Sequence, residues 1–392
     1  MDFIIKNRFL LIASLLIVSY LAILAFVGIN RNSWGDENHF YNTIQSFYNA
    51  PFSLHTLRHY EEMSTPLPFL AYALFGKIFG LALPTLRVLS LLVASATFFA
   101  LFILFRYYVS EIRSLFMLGF VMINPYIAGL SLFVFTDMLA LFFTALSFIA
   151  HHKKKPILLA ISLAGSLLCR QYCAFLILSF ATFYLYNWLV LKQKSDMKLF
   201  VAVLIGCIPL FSLFIFWHGT TPLNATRNLY INDGFSFHTS AITLYVSLCC
   251  LYLIPFSLVY LKKLYTHRIF IVSILVSSIY FFLPVQASRP ALALHILTVG
   301  YIHKALLMIH PSLVHIIFYV GFLAAIPFII NSFHSIFRDI KTRSQSISTL
   351  NNLTIIAFLV IMPISYLTWE KYFILLFPVV LLQFNIMLAP KK

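Results

Sequence analysis

The chain has 392 residues, of which 61% are hydrophobic and 10% charged, with 27 Lys and Arg against 11 Asp and Glu and a formal net charge of +16. Soluble domains carry about 25% charged residues, so a water-soluble globule is excluded and lipid is the expected solvent. The basic surplus lies in short clusters between apolar runs rather than on an aromatic-interleaved polar surface, so it reads as membrane topology and nucleic acid is not an expected partner.

Residues 9 to 28 follow Lys6 and Arg8, and the run is long with no convincing small-residue cleavage site. It predicts an uncleaved first span rather than a signal peptide. Eleven further spans follow, near 86 to 105, 114 to 133, 134 to 150, 157 to 170, 172 to 190, 199 to 217, 239 to 260, 268 to 284, 313 to 331, 352 to 368 and 372 to 389. The fold class is therefore all-α, a polytopic bundle of about twelve transmembrane helices forming a single membrane domain over 1 to 392.

Two apolar stretches, 66 to 80 and 290 to 311, are short or interrupted by His and Lys, and charge bias decides how they lie. As amphipathic helices in the outer interface, they leave Lys6, Arg8, Arg106, Arg113, Lys153 to Lys155, Lys192, Lys194, Lys198, Lys262, Lys263, Arg268, Arg338, Lys341, Arg343, Lys391 and Lys392 on the cytoplasmic side. Asp36, Glu37, Glu61, Glu62, Asp137, Asp233 and Glu370 then face out. The outer loop 29 to 85 is the longest connection, and long loops more often carry function than merely connect.

The densest polar cluster is Trp34-Gly35-Asp36-Glu37-Asn38-His39-Phe40. A carboxylate at the membrane surface, Asp36 or Glu37, could take a proton from a sugar hydroxyl as that oxygen attacks; alternatively the pair caps a helix beginning near Asn38. In Ser64-Thr65-Pro66, a Ser or Thr cap followed by a first-turn proline predicts a helix start. Asp137 sits at the outer turn of a tight helical hairpin, where an acid is a functional candidate or an ion-pair partner of Arg170. Arg170-Gln171 interrupts two apolar runs, and the arginine could bind phosphate bidentately or simply pair with Asp137.

In the second interfacial stretch, Arg289, His295, His303, Lys304 and His310 could contact a headgroup or phosphate, or could snorkel to the interface. His295 and His303 are placed on one helical face, without metal-ligand spacing. Glu370-Lys371 lies between the last two spans, where the two could pair or add charge to a polar site. The five cysteines fall inside apolar segments and imply neither disulfides nor zinc. Asn224-Ala225-Thr226 matches a glycosylation acceptor. The absence of a Walker A loop, a Rossmann fingerprint, G-x-S-x-G and H-E-x-x-H argues against chemistry driven by cytoplasmic nucleotides. No cofactor is expected, and a divalent cation is not indicated.

In this order, the features resemble the GT-C superfamily of membrane glycosyltransferases, which use polyprenyl-phosphate-linked sugars. One span is followed by a long outer loop opening on Asp36-Glu37-Asn38-His39-Phe40 and by a proline-containing interfacial helix from Thr65-Pro66-Leu67-Pro68-Phe69. Leu86-Arg87-Val88, Phe135-Thr136-Asp137, Arg170-Gln171 and Glu370-Lys371-Tyr372-Phe373-Ile374 are similar to segments of the dolichyl-phosphate-glucose alpha-1,2-glucosyltransferase family. His39 stands one residue closer to the acidic pair than in that family, and Lys371 follows Glu370 directly, so sugar and acceptor do not carry over.

The resemblance implies an inverting hexosyl transfer from a polyprenyl-phosphate carrier to a glycan or lipid-linked acceptor, with Asp36 as general base. Glu37 is the alternative catalytic acid. His39, Asp137, Arg170, Gln171, Arg289, Glu370 and Lys371 are the candidate substrate-binding residues, and Arg170, Arg289 and Lys371 would stabilise the departing lipid phosphate. A bacterial plasma membrane is preferred to the endoplasmic reticulum. The competing reading is a lipid or solute transporter, although acids gathered at one interface differ from the midplane sites of transporters.

Overall fold

The computed structural model describes residues 2–225, 237–264, 266–293, 295–344, 346–365 and 367–388. Its helices are α1 (Asp2–Gly28), α2 (Glu37–Asn49), α3 (Leu54–His59), α4 (Leu67–Phe79), α5 (Leu83–Arg106), α6 (Glu111–Met122), α7 (Pro125–Leu132), α8 (Asp137–His152), α9 (Pro156–Cys169) and α10 (Ala174–Leu189). They continue with α11 (Lys194–Trp217), α12 (Ser240–Leu251), α13 (Ile254–Leu264), α14 (His267–Ser277), α15 (Ile279–Phe282), α16 (Arg289–Ala293), α17 (Tyr301–Ile309), α18 (Pro311–Lys341), α19 (Ile347–Ile361) and α20 (Phe377–Leu388). Among the described residues there is no β-strand. Asp233, Thr226 of the glycosylation triplet, Lys391 and Lys392 lie outside the described residues.

Six helices are long and apolar enough to cross a membrane, and α6 with α7 makes a seventh if that bent pair is one span. The chain is a multi-pass membrane protein. The other expected spans correspond to shorter apolar helices: α8, α9, α12, the 268–282 segment and α20. Several expected spans are interrupted where the sequence supplies a breaker. The 114 to 133 run bends by 75° between α6 and α7, because Asn124 Oδ1 accepts from Tyr126 N at 3.0 Å and starts a new helix with Pro125 in its first turn. The 239 to 260 run parts before Ile254-Pro255, and the 352 to 368 run tightens into a 3₁₀ turn, Met362–Ile364, around Pro363.

The chain divides into two compact units. One comprises the described residues up to Cys173 together with those from Lys194 to residue 225. In it α8 packs on α5 and α9, and α9 on α11. Its two ends differ in charge. At one end α5 begins beside Arg87 and α8 begins with Asp137. At the other, Tyr107 stacks on His152 at 4.0 Å, Lys153 Nζ sits 4.9 Å from the Tyr107 ring centre, and Lys154 pairs with buried Asp196 at 3.3 Å.

The second unit comprises Ala174–Gln193 and the described residues from 237 onward. Here α12 packs on α18, and α10 on α19. Close packing at one crossing depends on Gly321, where an added Cβ would fall 2.7 Å from Leu251 Cγ. The 290 to 311 stretch is not one helix. It forms α16 and α17, separated by a turn containing His295 at φ 58° and Gly300 at φ 151°. His295 and His303 therefore do not share a helical face, because the φ values at His295 and Gly300 are incompatible with a continuous right-handed helix.

Candidate functional site

The acidic loop is built on a buried ion pair. Glu37 and Arg87 are both 0% exposed, with Arg87 Nη2 2.6 Å from Glu37 Oε2 and Nε 3.0 Å from Oε1. This two-pronged geometry suits guanidinium and carboxylate. The rest of the fork donates to the backbone: Nη1 to the carbonyls of Gly28, Ile29 and Arg31 at 3.1, 3.0 and 2.6 Å, and Nη2 to that of Asn32 at 3.2 Å. Glu37 also accepts from Trp34 N at 3.2 Å and Val134 N at 2.9 Å. Arg87 caps the open carbonyls where α1 ends, and Glu37 secures the turn that begins α2.

This clamp fixes its neighbour. Gly35, at φ 60°, takes the left-handed conformation that the turn needs, and Asp36 follows as the N-terminal flank of α2, exposed while Glu37 is buried. Helix α2 inserts Phe40, Thr43, Ile44 and Phe47 into the unit with one-face spacing. His39 is in its first turn and exposed. The 133–137 turn lies alongside: Trp34 and Phe133 ring centres are 5.6 Å apart, as are those of Phe40 and Phe135.

A second charged cluster adjoins that turn. Arg170 Nη2 donates to Asp137 Oδ2 at 2.7 Å, Tyr172 OH to Asp137 Oδ1 at 2.9 Å, and Arg170 Nη1 to Ser64 Oγ at 2.6 Å. Gln171 Nε2 donates to the Met63 carbonyl. Thr65 Oγ1 donates to the Leu167 carbonyl at 2.9 Å, and Tyr60 OH to the Ser64 carbonyl at 2.8 Å. Burial, with Glu62 as the smaller contribution, raises the Tyr60 phenol well above 10, so it remains a donor at neutral pH. Ser64 and Thr65 make no side-chain cap on α4; both tie the 60–66 segment to the end of α9 instead.

In the second unit, Glu370 is fully buried at the start of a 3₁₀ turn, Glu370–Leu375. It accepts from Ile302 N at 3.1 Å, His303 N at 3.0 Å and Tyr252 OH at 3.1 Å, while its own N–H donates to Val299 O at 2.7 Å. Its charge thus sits on the first amides of α17, the favourable end of that helix dipole. Lys371 is half-buried, and Arg289 is exposed at the start of α16. The first unit accordingly gathers Asp36, Glu37, His39, Asp137, Arg170 and Gln171, and the second holds Arg289, Glu370 and Lys371. Among the described residues, no group of His, Cys, Asp and Glu is arranged to hold a metal ion.

No protein-family profile matches the sequence, nor does any curated protein. Two solved structures resemble the fold weakly. The crystal structure of ArnT from Cupriavidus metallidurans in the apo state is 12% identical with a TM-score of 0.46, covering 95% of this chain and 76% of that one. The structure of the same protein bound to undecaprenyl phosphate is 12% identical with a TM-score of 0.45, covering 95% and 77%.

Sequence reasoning assigned no role to Arg87, Tyr172, Tyr252 or the Val134 amide. Arg87 had a signal: an arginine near the start of a long apolar helix needs partners at that depth, and the segment from Gly28 to Glu37 supplies them. Tyr172, Tyr252 and the Val134 amide had none, because their partners are distant in sequence.

Proposed function

We propose that this protein is a membrane glycosyltransferase that moves a hexose, glucose being one candidate, from a polyprenyl-phosphate carrier to a glycan or lipid-linked acceptor at the non-cytoplasmic face. One observation carries this reading. Asp36-Glu37, Thr65, Arg87, Asp137 and Arg170-Gln171, the first-unit residues among those on which the sequence resemblance rests, lie along two adjoining contact clusters in which Glu37 is locked and Asp36 is exposed.

In this reading Asp36 accepts the proton of an acceptor hydroxyl while that oxygen forms a bond to the anomeric carbon. The bond from that carbon to the phosphate oxygen breaks, and its electron pair leaves with the polyprenyl phosphate, so attack from the opposite side inverts the centre. Glu37 is engaged by four donor contacts and acts as a positioning residue, not the base. Arg170, already held by Asp137 and Ser64, is preorganised to meet phosphate charge, with Gln171 beside it and His39 one helical turn from Asp36. Arg289 and Lys371 are the corresponding cations of the second unit, and Glu370 orders its α17 turn. The basic clusters at the opposite end of the first unit support an outward-facing acidic end by the positive-inside bias, in a bacterial plasma membrane by preference.

Purified protein supplied with polyprenyl-phosphate glucose, mannose and related donors plus candidate acceptors tests the assignment. Transfer that is lost in Asp36→Asn, with thermal unfolding unchanged, is the expected result. Full activity in that variant removes Asp36 as base. Solute or lipid flux across vesicles without donor consumption replaces the whole reading with transport.

A further inference from the structure

The turn between α2 and α3 and the first residue of α3 carry two large apolar side chains that the protein does not cover: Phe52 is 79% exposed and Leu54 is 67% exposed. The attachment of this segment gives its height relative to the bilayer. Trp217, the last residue of α11, donates from Nε1 to the Leu57 carbonyl at 2.8 Å, and Arg58 lies 5.8 Å from the Phe216 ring centre. Along α11, Val201, Leu204, Ile208, Phe211 and Ile215 are all exposed at three- and four-residue spacing, which is one continuous apolar face of a spanning helix. Helix α3 is therefore docked where a span leaves the hydrocarbon, the level at which Trp and cationic side chains anchor a protein.

Basic and polar side chains stand close to these two positions in the chain, with Arg58 one helical turn after Leu54. His55 is exposed and stacks on His59 at 4.4 Å, while Arg58 is half-buried. On α4, exposed Lys77 packs over the Tyr48 ring at 4.3 Å, next to Ile78 and Phe79, which are 75% and 61% exposed. Apolar tips flanked by Arg and Lys match the boundary between acyl chains and lipid phosphates, whereas a soluble glycan offers nothing to Phe52 or Leu54.

We propose that Phe52 and Leu54 form a knuckle inserted into the phospholipid leaflet at the acid-bearing end of the first unit, with Arg58 and Lys77 at the headgroup phosphates. This anchors the loop that presents Asp36 at the membrane surface, and it holds whatever reaction that loop performs. All five cysteines, Cys169, Cys173, Cys207, Cys249 and Cys250, are buried, so a cysteine introduced on the surface can be labelled selectively.

Nitroxide-labelled Phe52→Cys and Leu54→Cys proteins, each in nanodiscs of phosphatidylcholine with phosphatidylglycerol, are compared with Glu61→Cys, an exposed position in the 60–66 segment. The expected result is relaxation by oxygen dominating at 52 and 54 and by a water-soluble nickel complex at 61, a several-fold difference in their ratio. Nickel accessibility at both 52 and 54 equal to that at 61 overturns the proposal. So does a short label-to-label distance between copies, which would make the knuckle a protein contact. Neither readout depends on sugar transfer, so loss of the enzymatic reading leaves this test intact.

Discussion

Arg87 and Glu37 are separated by 2.6 Å between Nη2 and Oε2, neither side chain touches solvent, and one of them is the residue directly after Asp36. A buried pair of this kind is weak evidence of net stabilisation, but removing one partner strands the other. Glu37→Ala should cost about 3 to 5 kcal/mol and lower the unfolding midpoint in detergent. Asp36→Asn, at an exposed position, should leave the midpoint in place. If the two variants unfold alike, the division of labour between these carboxylates is wrong.

Arg87→Lys is expected to be nearly as damaging as Arg87→Leu. Lysine keeps the charge but cannot reach both Glu37 oxygens and four backbone carbonyls through a rigid fork. The double variant Glu37→Leu with Arg87→Leu should recover little, because the carbonyls of 28, 29, 31 and 32 remain without their donor. Thermal unfolding of the three variants decides this; recovery to the native midpoint would show that the carbonyl contacts carry no weight.

At Asp137, Tyr172→Phe deletes one neutral donor to a carboxylate and should cost about 1 to 2 kcal/mol, whereas Arg170→Gln leaves the buried charge poorly matched and should cost more. A double-mutant cycle between Arg170 and Ser64 should show coupling through their 2.6 Å contact. Additivity of the two single effects would contradict it.

Glu370→Gln should accelerate amide exchange at Ile302 and His303 specifically, since both N–H groups donate to the native carboxylate. Losing the anion from the α17 N-terminus should cost roughly 1 kcal/mol. Unchanged exchange at both amides would remove Glu370 from the cap.

His303 supplies a pH dependence of stability. Burial, and secondarily His315, lowers its pKa below the usual 6.5. The unfolded chain therefore takes up a proton near 6.5 that the folded chain refuses, so this contribution is complete above that pH and is lost as pH falls through the interval beneath it. The Tm should fall on acidification below pH 6.5, and His303→Asn should flatten that slope. An unaltered slope in the variant would assign the effect elsewhere.

Hydropathy was sufficient for the long spans α1, α5, α11 and α18, because a twenty-residue apolar run has few alternatives in a membrane. The helix after Thr65-Pro66 was legible from its prolines, although the Ser or Thr cap expected there is not made because both side chains bond to the end of α9, and the turn at Asp137 was legible as a break between two apolar runs. The interruptions at Asn124-Pro125 and Ile254-Pro255 were hidden by that same hydropathy, which averages over breakers. At the site, residue types marked Asp36, Glu37 and Asp137 as unusual, but their division into buried and exposed was not legible. That division depends on the amide of Val134 and the guanidinium of Arg87, each brought in from a distant part of the chain.

The clamp at Glu37 also imposes an order on biogenesis. Its partners stand at Arg87 and Val134, so a nascent chain that has inserted α1 holds an acidic loop with no counterion until α5 has been synthesised, and no complete set until the turn after α7 emerges. During that interval the loop must remain in water. Variants that weaken the clamp should therefore reduce the yield of inserted protein more than the stability of molecules that have already assembled.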